Sequence, residues 1–182
     1  GDLSLENIAS VSELQLKPKQ YLVFTLNRKA LMSNKANLER MLETMSEAAG
    51  NMPIIAPLRT DAAQVVQLLD ASKHRNLHIV QPLGYLEFSY LLLNAAGVIT
   101  DSGNVAEEAT FTNVSCATLN SYTEHIETVK QGTNVLVGED AQKLRTAVSD
   151  MVSGKWKTAT IPDRWDGRSA ERIIQTLIDF VK

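Results

Sequence analysis

The chain has 182 residues, 44% of them hydrophobic and 21% charged, which fits one globular domain and excludes a disordered tail. Its net charge of −3 comes with no basic block, so nucleic acid is not expected as a partner. No apolar run approaches the roughly 18 residues of a membrane helix, and the amino terminus lacks the basic start and apolar core of a secretory signal, so no membrane partner is expected.

In chain order, residues 1–20 read as a linker or lead-in to a first strand over 21–26 (YLVFTL). Residues 36–49 carry Leu38, Met41, Leu42 and Met45 at three- and four-residue steps, which predicts a helix with one apolar face. A strand over 53–57 (PIIAP) leads to a helix over 60–71 repeating Ala62, Val65, Val66 and Leu69. After a strand over 77–80 (LHIV), the segment 84–96 is apolar nearly all round, with Leu86, Tyr90, Leu91 and Leu93, and is expected to be well buried. Strands over 97–100 (GVIT), 115–119 (SCATL) and 134–137 (NVLV) alternate with helical segments over 103–111, 123–131 and 140–153. A long connection over 154–169 precedes a terminal helix over 168–182, striped with Ile173, Ile174, Leu177, Ile178 and Val181.

Short continuous apolar strands suit a sheet buried on both faces. Their strict alternation with helices predicts an α/β fold, a doubly wound parallel sheet of about six strands in a single domain. Cys116 has no second cysteine to pair with and reads as core filler, which fits a reducing cytoplasm. The three histidines are scattered, so no metal site is expected.

Ligands of such sheets bind beyond the carboxyl ends of the strands. The segment 100–109 (TDSGNVAEEA) lies at one of those ends. Amides of Ser102, Gly103 and Asn104 would open a helix with no intrahelical acceptor, an anion site suited to phosphate. Glu107 and Glu108, one turn on, would be placed for the hydroxyls of a diol. Helix capping explains the same spacing, with Asn104 and Glu107 as a capping box. Arg28 and Arg59, at the ends of the first two strands, are placed to meet a diphosphate, or are solvated loop charges. His125 stands near a helix start at which Ser121 and Glu124 read as another capping box. Trp165 is expected to pack over the last helix.

Six motifs, read in order, carry a resemblance: TLNR, PLGYLEF, TDSGNVAEEA, LNSYTEHIE, QGTNVLVG and WDGRSAERI. Together they resemble the C-terminal half of the bacterial non-hydrolysing UDP-N-acetylglucosamine 2-epimerases. Members of that family carry a strand ending in Thr-x-His-Arg, then PLxYLxF, TDSGGxQEE, RDTTERPE, AGTxxLVG and YGDGxASERI. The resemblance implies one half of a two-domain GT-B-like fold, with an N-terminal Rossmann-like domain outside this chain. It implies isomerisation of a UDP-sugar, UDP-N-acetylglucosamine to UDP-N-acetylmannosamine, by elimination and re-addition of UDP without a redox cofactor. It also implies a cytoplasmic protein of bacterial cell-surface polysaccharide biosynthesis, and leaves room for a homodimer at full length. By the same resemblance, Ser102 and Gly103 would hold the diphosphate, Glu108 the ribose hydroxyls, and Phe88 would line the uracil pocket.

Four positions depart from the family pattern. Asn27 stands where the family has a histidine linked to catalysis, and asparagine cannot titrate. Arg59 stands where a histidine of a PVHLNP segment would fall, His125 replaces an arginine, and Asn104 replaces the second glycine. Arg59 and His125 would supply positive charge near the diphosphate. Besides an epimerase, these residues fit the nucleotide-binding half of a GT-B glycosyltransferase or a non-catalytic sugar-nucleotide binder. A receiver domain is excluded, since the first strand ends in Asn27-Arg28 rather than an acidic pair. Without the opposing domain that closes the cleft, the isolated chain is expected to be inactive.

Overall fold

A computed structural model describes residues 3–69 and 74–181. The strands are β1 (Leu22–Phe24), β2 (Ile54–Pro57), β3 (Leu77–Val80), β4 (Gly97–Thr100), β5 (Ser115–Thr118) and β6 (Asn134–Leu136). Among the described residues they form one sheet in the order β3-β2-β1-β4-β5-β6, with every pair parallel. The chain starts in the middle, winds out to β3, and returns to place β4 beside β1, with Leu22 opposite both Ile54 and Gly97. That reversal leaves a crevice at the carboxyl ends of β1 and β4.

The two-residue period of a strand divides each apolar run between two cores. Leu22, Phe24, Ile54, Ala56, Ile99 and Ala117 face one side. There they meet α1 (Lys29–Ser33), α2 (Lys35–Ala49), α3 (Thr60–Leu68) and α7 (Ala141–Ser153), which bring Leu31, Leu38, Met41, Leu42, Met45, Val66, Leu144 and Val148. Tyr21, Val23, Ile55, Val98 and Cys116 face the other side. They are covered by α4 (Tyr85–Leu93), α5 (Gly103–Phe111) and the lead-in segment, whose Leu5, Ile8 and Val11 are buried. The lead-in is therefore part of the second core as well as the approach to β1. Burial pushes the Cys116 thiol up to about 12, as expected of core filler.

The short helix α1 was not anticipated from the sequence, because Leu31 and Met32 alone give no period to read. α6 (Ile126–Lys130) is shorter than its predicted segment. Residues 70 and 71 of the helix predicted over 60–71 lie outside the described residues, as do residues 1, 2 and 182 at the ends. The first part of the connection over 154–169 lies along the outer edge of the sheet. Trp156 donates from Nε1 to the Thr133 carbonyl at 2.7 Å, and Lys157 donates from Nζ to the carbonyls of Val129 and Asn134 at 2.6 and 2.7 Å. These contacts occupy acceptors that would otherwise lie open beside the last strand.

Two apolar segments depart from expectation. α4 buries Leu91 and Leu92, but Tyr85 and Leu86 are about 70% exposed. An all-round apolar sequence implies all-round burial only where something lies on both sides, and within this chain the outer side of α4 is uncovered. The terminal helix α8 (Ser169–Val181) forms as read, yet none of its residues is buried. Its stripe of Ile173, Ile174, Leu177, Ile178 and Val181 is open. Among the described residues, no helix is long and apolar enough to cross a membrane.

The central strand is held tightly against α7. A Cβ on Gly97 would fall 2.5 Å from Met151 Sδ and 2.7 Å from its Cγ. Overpacking of this kind typically costs about 1–3 kcal/mol. Gly97→Ala should lower the unfolding free energy by that amount, read as a lower urea midpoint with an unchanged slope.

Candidate functional site

At the carboxyl edge of the sheet, Thr100 closes β4 and Asp101 follows it, 5% exposed. The Asp101 carboxylate accepts from the Asn27 amide at 2.8 Å through Oδ2 and at 3.0 Å through Oδ1, and from the Arg28 amide at 2.6 Å. One buried acidic side chain thus ties the loop after β1 to the end of β4. Beside it, the Thr25 and Thr100 hydroxyls meet at 2.6 Å, and Thr100 Oγ1 accepts from the Ser102 amide at 3.0 Å. Arg28 is held in turn: its guanidinium donates to Asn120 Oδ1, while Asn120 Nδ2 donates to the Asp101 carbonyl at 3.3 Å.

α5 begins at this edge. Its N-cap is Ser102, whose Oγ accepts from the Val105 amide at 3.5 Å, a long bond. Both capping boxes read from the sequence are therefore corrected. Asn104 lies inside the helix, because Ser102 is the residue with extended backbone, and Glu107 turns to His125 instead. Ser121 and Glu124 do not cap α6 either: His125 is its N-cap, and the His125 amide donates to Thr123 Oγ1 at 3.0 Å.

Two cavities lie along α5, one at its first turn and one beside its later residues. The polar one, about 270 Å³, is lined by Arg28, Gly103, Asn104, Asn120 and residues 122–125. His125 Nδ1 lies 2.9 Å from Glu107 Oε1, and its ring lies over the turn, with Nε2 3.1 Å from where a Gly103 Cβ would stand. The more apolar cavity, about 340 Å³, lies between α4 and α5. Tyr85, Phe111 and Trp165 contribute aromatic rings to it, and Ser89, Glu107 and Glu108 its polar groups. Glu108 Oε2 and Ser89 Oγ are buried there without a hydrogen-bond partner among the described residues. Burial pushes the Glu108 carboxyl above the usual carboxylate range, and the charge of Glu107 adds to the shift.

The sequence candidates divide accordingly. Arg28, Ser102, Gly103, Asn104, Glu108 and His125 gather around the first turns of α5. Asn27 is exposed beside them, its amide held by Asp101. Arg59 stands apart, exposed at the start of α3 and outside both cavities. Phe88 packs inward against the second core, while Tyr85 and Ser89 of the same helix line the cavity. Trp165 lines that cavity as well, rather than simply covering the last helix. Sequence reasoning missed Asp101 and Asn120 as organisers, and Tyr85 and Trp165 as lining. An acidic residue directly after an apolar strand was the available signal for Asp101. Among the described residues, no group of three His, Cys, Asp or Glu side chains gathers as a metal ion would require.

Comparison with known proteins adds an independent line. The family model described as UDP-N-acetylglucosamine 2-epimerase matches residues 2–178. The UDP-N-acetylglucosamine 2-epimerase of Methanocaldococcus jannaschii is 34% identical over 180 residues, 94% of this chain and 48% of that protein. The UDP-2,3-diacetamido-2,3-dideoxy-D-glucuronate 2-epimerase of Pseudomonas aeruginosa is 31% identical over 165 residues, 86% of this chain and 44% of that protein. A crystal structure of the M. jannaschii enzyme in complex with UDP-GlcNAc and UDP superposes with a TM-score of 0.74 at 33% identity, covering 88% of this chain and 46% of the other. The chain thus spans about half the length of the curated relatives it matches.

The buried oxygen of Glu108 has a consequence for stability. A carboxyl whose folded pKa is raised is penalised when ionised, so the penalty is full above that pKa and absent below the unfolded value. Glu108→Gln should therefore raise the thermal midpoint at pH 7. The gain should shrink as the pH falls through the carboxylate range, as scanning calorimetry at stepped pH would record.

Proposed function

This chain belongs to the UDP-N-acetylglucosamine 2-epimerase family, and we propose that it is the UDP-sugar-binding C-terminal domain of such an isomerase. The observation that carries this reading is the placement of two cavities along α5, a polar one at its first turn and a more apolar one beside Glu107, Glu108 and Phe111. On the polar side, the amides of the turn, Ser102 Oγ and the Arg28 guanidinium suit a diphosphate. On the other side, Glu108 offers a buried acceptor with no protein donor, which the hydroxyls of a ribose would satisfy, beside aromatic walls that suit a base. A structure this costly to leave empty is what a binding residue looks like.

In this reading the substrate is UDP-N-acetylglucosamine, a compound bound in the archaeal relative. The whole protein eliminates UDP across C1 and C2 with loss of the C2 proton, then returns UDP to C1 and a proton to the opposite face of C2. Arg28 and the α5 turn would hold the departing diphosphate. The rest of the machinery belongs to an N-terminal Rossmann-like domain, a reading supported by the half-length match and by the uncovered apolar stripe of α8. Asn104 stays assigned to the diphosphate side, whose cavity it lines, while Arg59 and Phe88 are substrate contacts on the resemblance alone. A cytoplasmic setting and a place in cell-surface polysaccharide biosynthesis belong to the same reading.

Asn27 favours a second reading. It occupies the position that resemblance gives to a catalytic histidine, and its amide side chain cannot move a proton. A protein that binds the sugar nucleotide without epimerising it would fit this residue. Full-length protein incubated with UDP-N-acetylglucosamine in deuterium oxide separates the two, since epimerisation places deuterium at C2 and binding alone does not.

Calorimetry tests the binding reading directly. UDP should bind this chain, and Glu108→Ala should weaken it roughly tenfold to a hundredfold, the loss of about 1.5–3 kcal/mol expected for hydrogen bonds to a charged group. The chain alone should show no turnover. Equal binding by wild type and variant would remove Glu108 from the site.

A further inference from the structure

We infer that Glu107 and His125 form a proton-linked gate on the diphosphate, so that sugar-nucleotide binding takes up one proton at His125. The inference rests on the binding reading above and adds to it how one wall of the polar cavity works. Its ground is the geometry of the imidazole ring. Nδ1 lies 2.9 Å from Glu107 Oε1, and an ionised carboxylate only accepts hydrogen bonds, so Nδ1 carries a hydrogen whether or not the ring is charged. The state of Nε2 then depends entirely on protonation. In the neutral ring, Nε2 presents a lone pair; in the imidazolium, it presents a donor.

The Cδ2–Nε2 edge of the ring lies over the phosphate turn, 2.9 and 3.1 Å from the Cβ position of Gly103, and Nε2 is its polar atom there, in the cavity that Arg28, Asn104 and Asn120 line. A diphosphate oxygen is an acceptor and a negative charge. It meets repulsion from a lone pair at Nε2 and a charge-assisted hydrogen bond from the imidazolium. Gly103 leaves the ring this close, since any side chain there would displace it. Glu107 is thus a positioning residue: it holds the ring over the turn and denies it the neutral tautomer that would donate from Nε2 without a proton. An arginine at this place, as resemblance gives the family, would donate at any pH. Histidine makes the contact conditional.

The charged and titratable groups around the ring are few. Glu107 reaches it from α5, Arg28 from the loop after β1, and Tyr122 and Glu124 line the cavity from the loop that carries His125. Glu127 lies two residues further along in α6, and Asp101 is engaged with the amides of Asn27 and Arg28. Of these, Glu107 is the group paired with the imidazole.

The test is calorimetry on this chain with UDP-N-acetylglucosamine, at stepped pH and in two buffers of different ionisation enthalpy. The sugar nucleotide is the right probe because a terminal phosphate titrates near pH 6, whereas a diphosphate esterified at both ends stays ionised. For wild type, the dissociation constant should rise with pH, approaching tenfold per unit, the limit for one linked proton. The buffer difference should report proton uptake that approaches one where the dissociation constant rises most steeply. His125→Gln should bind with no proton uptake and a flat profile. Glu107→Gln frees the tautomer, so its uptake should fall while binding persists at high pH, a separation that a purely structural role for Glu107 would not produce. Binding without proton uptake by wild type, or the same uptake in His125→Gln, overturns the gate and leaves the site standing. Absence of binding by UDP and UDP-N-acetylglucosamine at every pH overturns the site and the gate together.

Discussion

The buried carboxylate of Asp101 is the contact on which the candidate site depends. A parallel sheet ends in backbone amides that no neighbouring strand can satisfy, and two of them, at Asn27 and Arg28, converge on this side chain. Charge-assisted bonds of this kind are strong in a partly buried setting. They fix the loop after β1 against the end of β4, and with it the direction of the Arg28 side chain. Asn120, at the end of β5, completes the tie by receiving the guanidinium and donating to the Asp101 carbonyl. Three strand ends are thereby locked around the first turn of α5. The sheet order makes this possible, because β1 and β4 are far apart in the chain and adjacent in space.

The two faces of the sheet serve different ends. On the α2 and α7 face, large aliphatic side chains and methionines interlock, and Gly97 lets Met151 come within touching distance of the central strand. That packing makes a rigid base. On the α4 and α5 face, Tyr21, Ile55, Leu91 and Leu92 pack with small residues such as Ala106 and Ala109, and the cavity between the helices lies at its margin. The α4 and α5 face carries the cavity that Glu108 lines. Glu108 shows the cost of that place, a carboxyl pushed toward its neutral form by burial and left without a protein donor.

The segments that went against expectation share one cause. The outer side of α4 and the whole stripe of α8 are apolar in sequence and open in the structure. Periodicity reports which side of a helix is apolar, not whether a partner within the same chain covers it. Among the described residues nothing covers the stripe of α8, whereas the helices packed on the sheet behave as their patterns read. The capping boxes went astray for a related reason. Asn104 and Glu107, and Ser121 and Glu124, have the right spacing, but Glu107 is drawn across to His125, a partner 18 positions away in the sequence.

By itself, the amino-acid sequence determined the alternation of short apolar strands and amphipathic helices, hence the doubly wound parallel class, because both periods are local. It also determined the family, since six motifs in order carry the resemblance, and it marked the turn at Ser102 and Gly103 and the carboxylate of Glu108 as candidates. Only the tertiary structure decided which strand ends lie together, and therefore that Arg28 shares a cavity with Gly103 and His125 while Arg59 stands outside it. It alone exposed Asp101 as the clamp, Tyr85 and Trp165 as cavity walls, and the pairing of Glu107 with His125. Each of these is a contact between residues remote in sequence. Such contacts are set by the order of strands in the sheet, which no local pattern of residues encodes.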